Sequence, residues 1–170
     1  MKSPKADREA VEHELPPVWS PESRTLVLGS IPSPKSRETG FYYGHPQNRF
    51  WQVTADVFGE PLPRSVPEKK AFLLRCGIAL WDVIAECDII GSSDASIKNA
   101  LPTDLSRILN KAPIERIYAN GSTAEKLYLK YQQPLTGRDI TRLPSTSPAN
   151  AAWSAARLAE QWRLDLLTKA

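Results

Sequence analysis

A short apolar run that stops at glycine and opens into a long polar loop constrains this chain more than any other feature. Residues 25–51 read TLVLGSIPSPKSRETGFYYGHPQNRFW. Leu26-Val27-Leu28 is brief, apolar and bounded by turn residues, which predicts a buried strand over residues 25–29. The loop after Gly29-Ser30 is dense in Gly, Pro and Ser and is expected to be neither helix nor sheet. It carries hydroxyls (Ser30, Ser33, Ser36), a cation (Lys35), aromatic rings (Phe41, Tyr42, Tyr43) and an amide (Asn48). Such groups suit a phosphate-and-base pocket, and ligands of open α/β sheets sit beyond the carboxyl ends of the strands. The alternative is a solvated Pro-rich surface loop with no ligand.

The rest of the chain repeats the same alternation. Phe50, Val53, Thr54, Val57 and Phe58 fall at helical spacing, and Gly59 and Pro61 end that helix. Asn48 stands just before its first turn, where an N-cap belongs. Residues 67–76 predict a second helix, and Ile78–Ile84 a strongly apolar strand interrupted by Asp82. A carboxylate there must be paired or hydrogen-bonded, or must cap an element beyond the strand end. Residues 88–102 read as a loop, with a short helix at Leu105, Ile108 and Leu109. Residues 114–119 predict a third strand, and Ser122 to Glu125 match a capping box. Gln133 to Gly137 reads as a connector, and a weaker strand is expected over 139–143. A second hydroxyl-rich loop follows, Pro144 to Asn150. A last helix is expected to bury Ala151, Ala155, Leu158, Trp162 and Leu166. Strand and helix alternating four times predict an α/β fold, three layers α/β/α around a central four-stranded, mostly parallel sheet. Residues 1–20 read as a flexible tail, and residues 21–170 as one domain.

Composition narrows the function classes. The chain has 170 residues and a formal charge of +3, which permits a polyanion partner without demanding one. No stretch of about 18 apolar residues occurs, so no membrane span is expected. The polar N-terminus has no apolar core of a secretory signal, so a cytoplasmic protein is expected. Two cysteines (Cys76, Cys87) and two histidines (His13, His45) have unsuitable spacing for a metal site, and none is expected. G-x-S-x-G is absent, as is the Gly-Lys-Ser/Thr of a P-loop, and no paired carboxylates occupy the loops. Amides, hydroxyls and aromatic faces remain, which suit an extruded nucleobase. Trp51 and Trp81 are expected in the core.

GSIPSPKSRETGFYYGHPQNRFW resembles the first motif region of the uracil-DNA glycosylase superfamily, and LPSTSPANA its second motif. The nearest branch by resemblance is the one acting on deoxyinosine. The likeness spans roughly residues 25–167; the first motif is long and specific, the second short. It implies a monofunctional glycosylase of base excision repair, working without cofactor on DNA carrying deaminated bases, with water as nucleophile; a monomer is expected. By that resemblance Tyr43 stacks under the flipped base, and Asp82 occupies the position that reads the base edge. Ser145, Ser147 and Asn150 belong to the loop that grips the lesion strand, with Ser145 toward the base. Ser33, Lys35 and Ser36 would meet phosphates. Ile31 departs from the pattern: uracil-specific members place there an Asp or Asn that positions the attacking water. The same resemblance makes Asn48 the catalytic candidate, because the deoxyinosine branch relies on an Asn in its His-Pro-x-Asn stretch, here His45 to Asn48. A carboxylate at Asp82 accepts N1–H of hypoxanthine or N3–H of uracil but cannot donate to a carbonyl, leaving room for a purine. A lesion-binding module with the chemistry lost is the alternative that Ile31 keeps open.

Overall fold

The computed structural model describes residues 9–13, 15–31, 34–90 and 93–167. Its centre is a parallel sheet of four strands: β2 (Thr25–Gly29), β3 (Ile78–Asp82), β6 (Arg116–Asn120) and β7 (Thr141–Leu143), in the order β3-β2-β6-β7. Thr25 pairs with Ile78 on one side and Arg116 on the other. Every residue of β3 is buried, as a strand covered on both faces requires. Helices flank the sheet, giving the expected α/β class. α2 (Phe50–Phe58) and α3 (Val66–Arg75) lie between β2 and β3 in the chain, and α7 (Ala155–Leu167) closes it. Phe50 of α2 meets Trp162 of α7 edge to face, ring centroids 5.9 Å apart. Trp51 and Trp81 are both core residues, as expected.

The topology itself selects a site. From β2 the chain runs to β3 on one side; it later returns to β6 on the other side of β2. The connections therefore diverge between β2 and β6, and a crevice opens outside their carboxyl ends, at Gly29 and Asn120.

Several elements differ from the sequence reading. Residues 9–13 and 15–20, expected as part of a loose tail, form a strand and pack against the sheets. β1 (Glu9–Glu12) pairs antiparallel with β4 (Ile84–Ile90), and Val11, Leu15 and Val18 are buried. Val18 forms an antiparallel bridge with Leu80, covering the free edge of β3. Its three inward residues are spread among charges, which hides the segment's packing in the sequence. The apolar run from Ile78 does not continue as one strand. Val83 and Ile84 turn their N–H groups to Gly29 and Ser30 carbonyls, and the chain leaves for a second sheet, β1-β4-β5. Its third strand, β5 (Ser93–Pro102), occupies the stretch expected as a loop.

Within the first loop, residues expected to avoid helix form the short α1 (Pro34–Thr39). α4 (Ser106–Leu109) matches the short helix expected there. After β6, α5 (Ser122–Leu127) is capped by Gly121 rather than through the Ser122 hydroxyl. The chain from 128 to 136, partly expected as connector, is a π-helical turn (Tyr128–Gln132) followed by α6 (Gln133–Thr136). The π turn carries buried Gln132, whose amide Nε2 donates to the Val83 and Thr103 carbonyls at 2.9 and 2.8 Å. It ties the second sheet to the first. α7 starts at Ala155, so Ala151 lies in an exposed turn, and Leu158, Ala159 and Trp162 form the buried stripe.

Candidate active site

The two hydroxyl-rich loops, distant in sequence, are joined at the β2–β6 crevice. Asn48 Oδ1 accepts from Thr146 Oγ1 at 2.9 Å across 98 residues of chain. The same oxygen accepts the Phe50 N–H at 2.9 Å, so Asn48, one residue before the N-cap position Arg49, satisfies the free N–H that opens α2. Thr146 is fully buried; its Oγ1 accepts from Asn120 Nδ2 at 3.0 Å, and its N–H donates to Asn120 Oδ1 at 3.0 Å. Asn120 ends β6, so the sheet, the first loop and the second loop meet in three residues.

Arg49 locks the second loop to the first. Its backbone N–H donates to the Thr146 carbonyl at 3.1 Å. Its guanidinium reaches the Ser147 carbonyl at 2.9 Å, the Asn150 carbonyl at 3.1 Å, and the Trp153 carbonyl. A planar fork with five donors suits such a fan of carbonyls. Within the loop, Ser145 Oγ accepts the Ser147 N–H, Ser147 Oγ accepts the Ala149 N–H, and Asn150 Nδ2 donates to the Ser145 carbonyl. Ser145, Ser147 and Asn150 line a groove of about 640 Å³ that begins at Asn120 and runs past Trp153 and Arg142. Arg157 stacks over the Trp153 ring at 3.8 Å, adding a cation beside that groove.

At the end of β2 the carboxylate and the phenol meet. A methyl group built on Gly29 would stand 2.4 Å from Asp82 Oδ1 and 3.1 Å from the Tyr43 hydroxyl. Only glycine leaves that approach open. Asp82 is 3% exposed, and its Oδ2 lies 2.8 Å from His13 Nε2. That oxygen therefore has a hydrogen-bond partner, from a residue of the segment expected as a free tail. Tyr43 has a left-handed backbone, φ 53°, costly for a bulky side chain. Its ring stacks on Phe50, centroids 4.2 Å apart. Burial pushes the Tyr43 phenol above its ordinary pKa and the Asp82 carboxylate pushes the same way; Asn120 partly opposes them. The phenol stays neutral, with its buried oxygen closing no hydrogen bond of normal geometry.

The remaining sequence-derived positions divide. Ile31 is half-buried against the core and offers no polar atom. Ser36, expected at a phosphate, is buried instead; its Oγ accepts the Gly44 N–H at 3.0 Å and holds the loop in its turn. Ser33 lies outside the described residues, as does the side chain of Lys35. Sequence reasoning missed His13, Arg49, Asn120 and Thr146 as site residues. Arg49 and Thr146 lay inside the two motifs, but nothing local separates a loop-bridging hydroxyl from its serine neighbours.

Comparison with known proteins agrees with this geometry. The model of the uracil DNA glycosylase superfamily matches residues 16–166. A hypoxanthine DNA glycosylase of Methanosarcina acetivorans is 33% identical over 154 residues, 88% of this chain and 95% of the relative. A protein of the same name from Methanosarcina barkeri is 33% identical over 109 residues, 63% of this chain and 69% of the relative. A solution NMR structure from Methanosarcina acetivorans, provisionally described as a uracil DNA glycosylase, superposes with TM-score 0.73 at 30% identity, covering 88% of this chain and 94% of that one. With both motif loops converged on the sheet's crevice and the family match spanning nearly the whole length, the chain belongs to the uracil DNA glycosylase superfamily and is a DNA glycosylase, a hydrolase of N-glycosyl bonds.

Proposed function

We propose that this enzyme excises hypoxanthine from deoxyinosine in DNA, with uracil as a second substrate, using water as the nucleophile. The observation that carries the reading is the Asn48–Thr146 bond, which brings the two loops to one crevice at the β2–β6 switch point. The names of the two 33%-identical relatives support hypoxanthine as the base.

In this reading the base is swung out of the duplex and its edge meets Asp82 over Gly29, with Tyr43 as the stacking ring and Ile31 and Ser145 beside it. The Asp82 carboxylate accepts N1–H of hypoxanthine. Asn48 is the catalytic amide. Ser147 and Asn150 grip the lesion strand, and Ser33 and Lys35 meet phosphates. The C1′–N9 bond breaks with its electron pair leaving on the purine. Water oxygen bonds to C1′; one of its protons ends on the departed base, and the other remains on the new sugar hydroxyl. Lys35 is the one lysine of the two motif loops, so water rather than a lysine amine is the nucleophile.

Duplexes carrying a single deoxyinosine or deoxyuridine, incubated with the protein and treated with alkali, test the proposal. Strand breaks at deoxyinosine are expected. Intact strands with both lesions would reject excision. A lesion-binding module, which Ile31 favours by removing the usual water-positioning side chain, would instead give a lesion-selective gel shift without base release.

A further inference from the structure

We infer that Thr146 and Asn120 are positioning residues that turn the Asn48 amide so that its nitrogen, not its oxygen, faces the crevice. Asn48 then acts as a hydrogen-bond donor to the departing base rather than as an acceptor for the water's proton. This rests on the excision reading above.

Every hydrogen-bond direction along the Asn120–Thr146–Asn48 relay is set by two backbone groups that can only donate. The Thr146 N–H needs an acceptor, so the Asn120 amide must turn Oδ1 toward it, at 3.0 Å. That leaves Asn120 Nδ2 facing Thr146 Oγ1, also at 3.0 Å. The threonine hydroxyl has one proton; as it accepts from Asn120, it gives that proton to Asn48 Oδ1 at 2.9 Å. The Phe50 N–H, again a donor only, holds the same Oδ1 at 2.9 Å. The orientation of both amides therefore follows from the chemistry of their partners and not from the similar shapes of their O and N atoms. Asn48 Oδ1 has both lone pairs occupied. Its Nδ2 closes no hydrogen bond among the described residues and is not sealed from solvent.

An N–H donor is useful where negative charge grows. As the glycosidic bond breaks, the electron pair spreads onto N3, N7, N9 and O6 of the purine, which are acceptors. A fixed donor aimed there stabilises the leaving group without reorganising. A purine made a better leaving group in this way relieves the enzyme of the water-positioning Asp or Asn in whose place Ile31 stands.

Base release from a deoxyinosine duplex, measured at steady state against substrate concentration and resolved into kcat and KM, tests the inference with four variants. In Asn48→Asp the carboxylate accepts both existing donors, the N–H that opens α2 included, as well as Asn does, but it has no N–H to give. Activity is expected to vanish while Tm holds. Thr146→Val, which deletes the link, is expected to lose on the order of tenfold or more in kcat through misplacement of the amide, with KM little changed. Thr146→Ser restores the rate. In Asn120→Asp the carboxylate draws the Thr146 proton to itself, and kcat falls as in Thr146→Val. An Asn48→Asp enzyme at least as fast as the parent would show Asn48 working through an acceptor oxygen and overturn the inference. So would a Thr146→Val enzyme at full rate. A parent protein that releases no base from any lesion would instead reject the excision reading, and this inference with it.

Discussion

His13 Nε2 lies 2.8 Å from Asp82 Oδ2, although 69 residues separate the two, and both side chains are almost wholly out of solvent. The N-terminal strand is thus fastened to the floor of the active site. Tyr42 secures the same segment by donating its hydroxyl to the Leu15 and Pro16 carbonyls. The substitution His13→Ala leaves a buried carboxylate oxygen without its hydrogen-bond partner, and such a loss costs about 1–3 kcal/mol or more. The urea midpoint is expected to fall steeply. His13→Gln, which keeps a donor, is expected to recover part of the loss. A midpoint unmoved by His13→Ala would show that the pair contributes nothing.

Gly29 is fixed by what lies over it. A Cβ there meets Asp82 Oδ1 at 2.4 Å, and that carboxylate is already pinned from behind by His13. Gly29→Ala must push the carboxylate or the Tyr43 phenol aside. Overpacking at such a site costs about 1–3 kcal/mol. Lower Tm is expected together with a larger loss of base release than the folded fraction explains, read by comparing active-site titration with thermal unfolding.

Arg49 spans the Ser147, Asn150 and Trp153 carbonyls from one guanidinium. Lysine is a point charge on a flexible stem and cannot fan out to all three. Arg49→Lys is expected to cost on the order of 2 kcal/mol, the worth of a hydrogen bond to a charged group, and to loosen residues 144–153. Limited proteolysis checks this: cleavage should appear within that loop in the variant before it appears elsewhere.

The parts of this molecule that local chemistry decides could be read in the chain. The apolar run at Leu26–Leu28, the helix from Phe50 to its Gly59 stop, and the alternation of strands and helices all follow from neighbours in sequence. The second sheet could not be read this way. In β4 and β5 the register shifts at three places between Ile84 and Ile90, which breaks the period of two that announces a strand. Glu86 to Ile89 alternate outward and inward, but buried Ile84 and Cys87 stand three residues apart, so the inward face changes parity along β4. Asn48 could be singled out because the first motif's resemblance places a working amide in its His-Pro-x-Asn stretch. Thr146 could not, because Ser145, Thr146 and Ser147 are chemically alike in sequence, and only the folded chain shows which one meets Asn120 and Asn48. His13 was hidden for a related reason: its partner is a strand end that lies beside it only after the sheets have formed.

The central claim, that the joined loops excise a deaminated base through Asn48, is tested most directly by the single-turnover rate of base release from a deoxyinosine duplex by Asn48→Ala. Loss of the acceptor for the N–H that opens α2 costs about 1 kcal/mol, so the variant is expected to stay folded, as circular dichroism can verify. Removing one fixed donor from a developing charge typically lowers a rate about 10²–10³-fold, and a fall of that size with duplex binding retained is the predicted result. A folded Asn48→Ala enzyme that releases hypoxanthine at the parent rate would contradict the account.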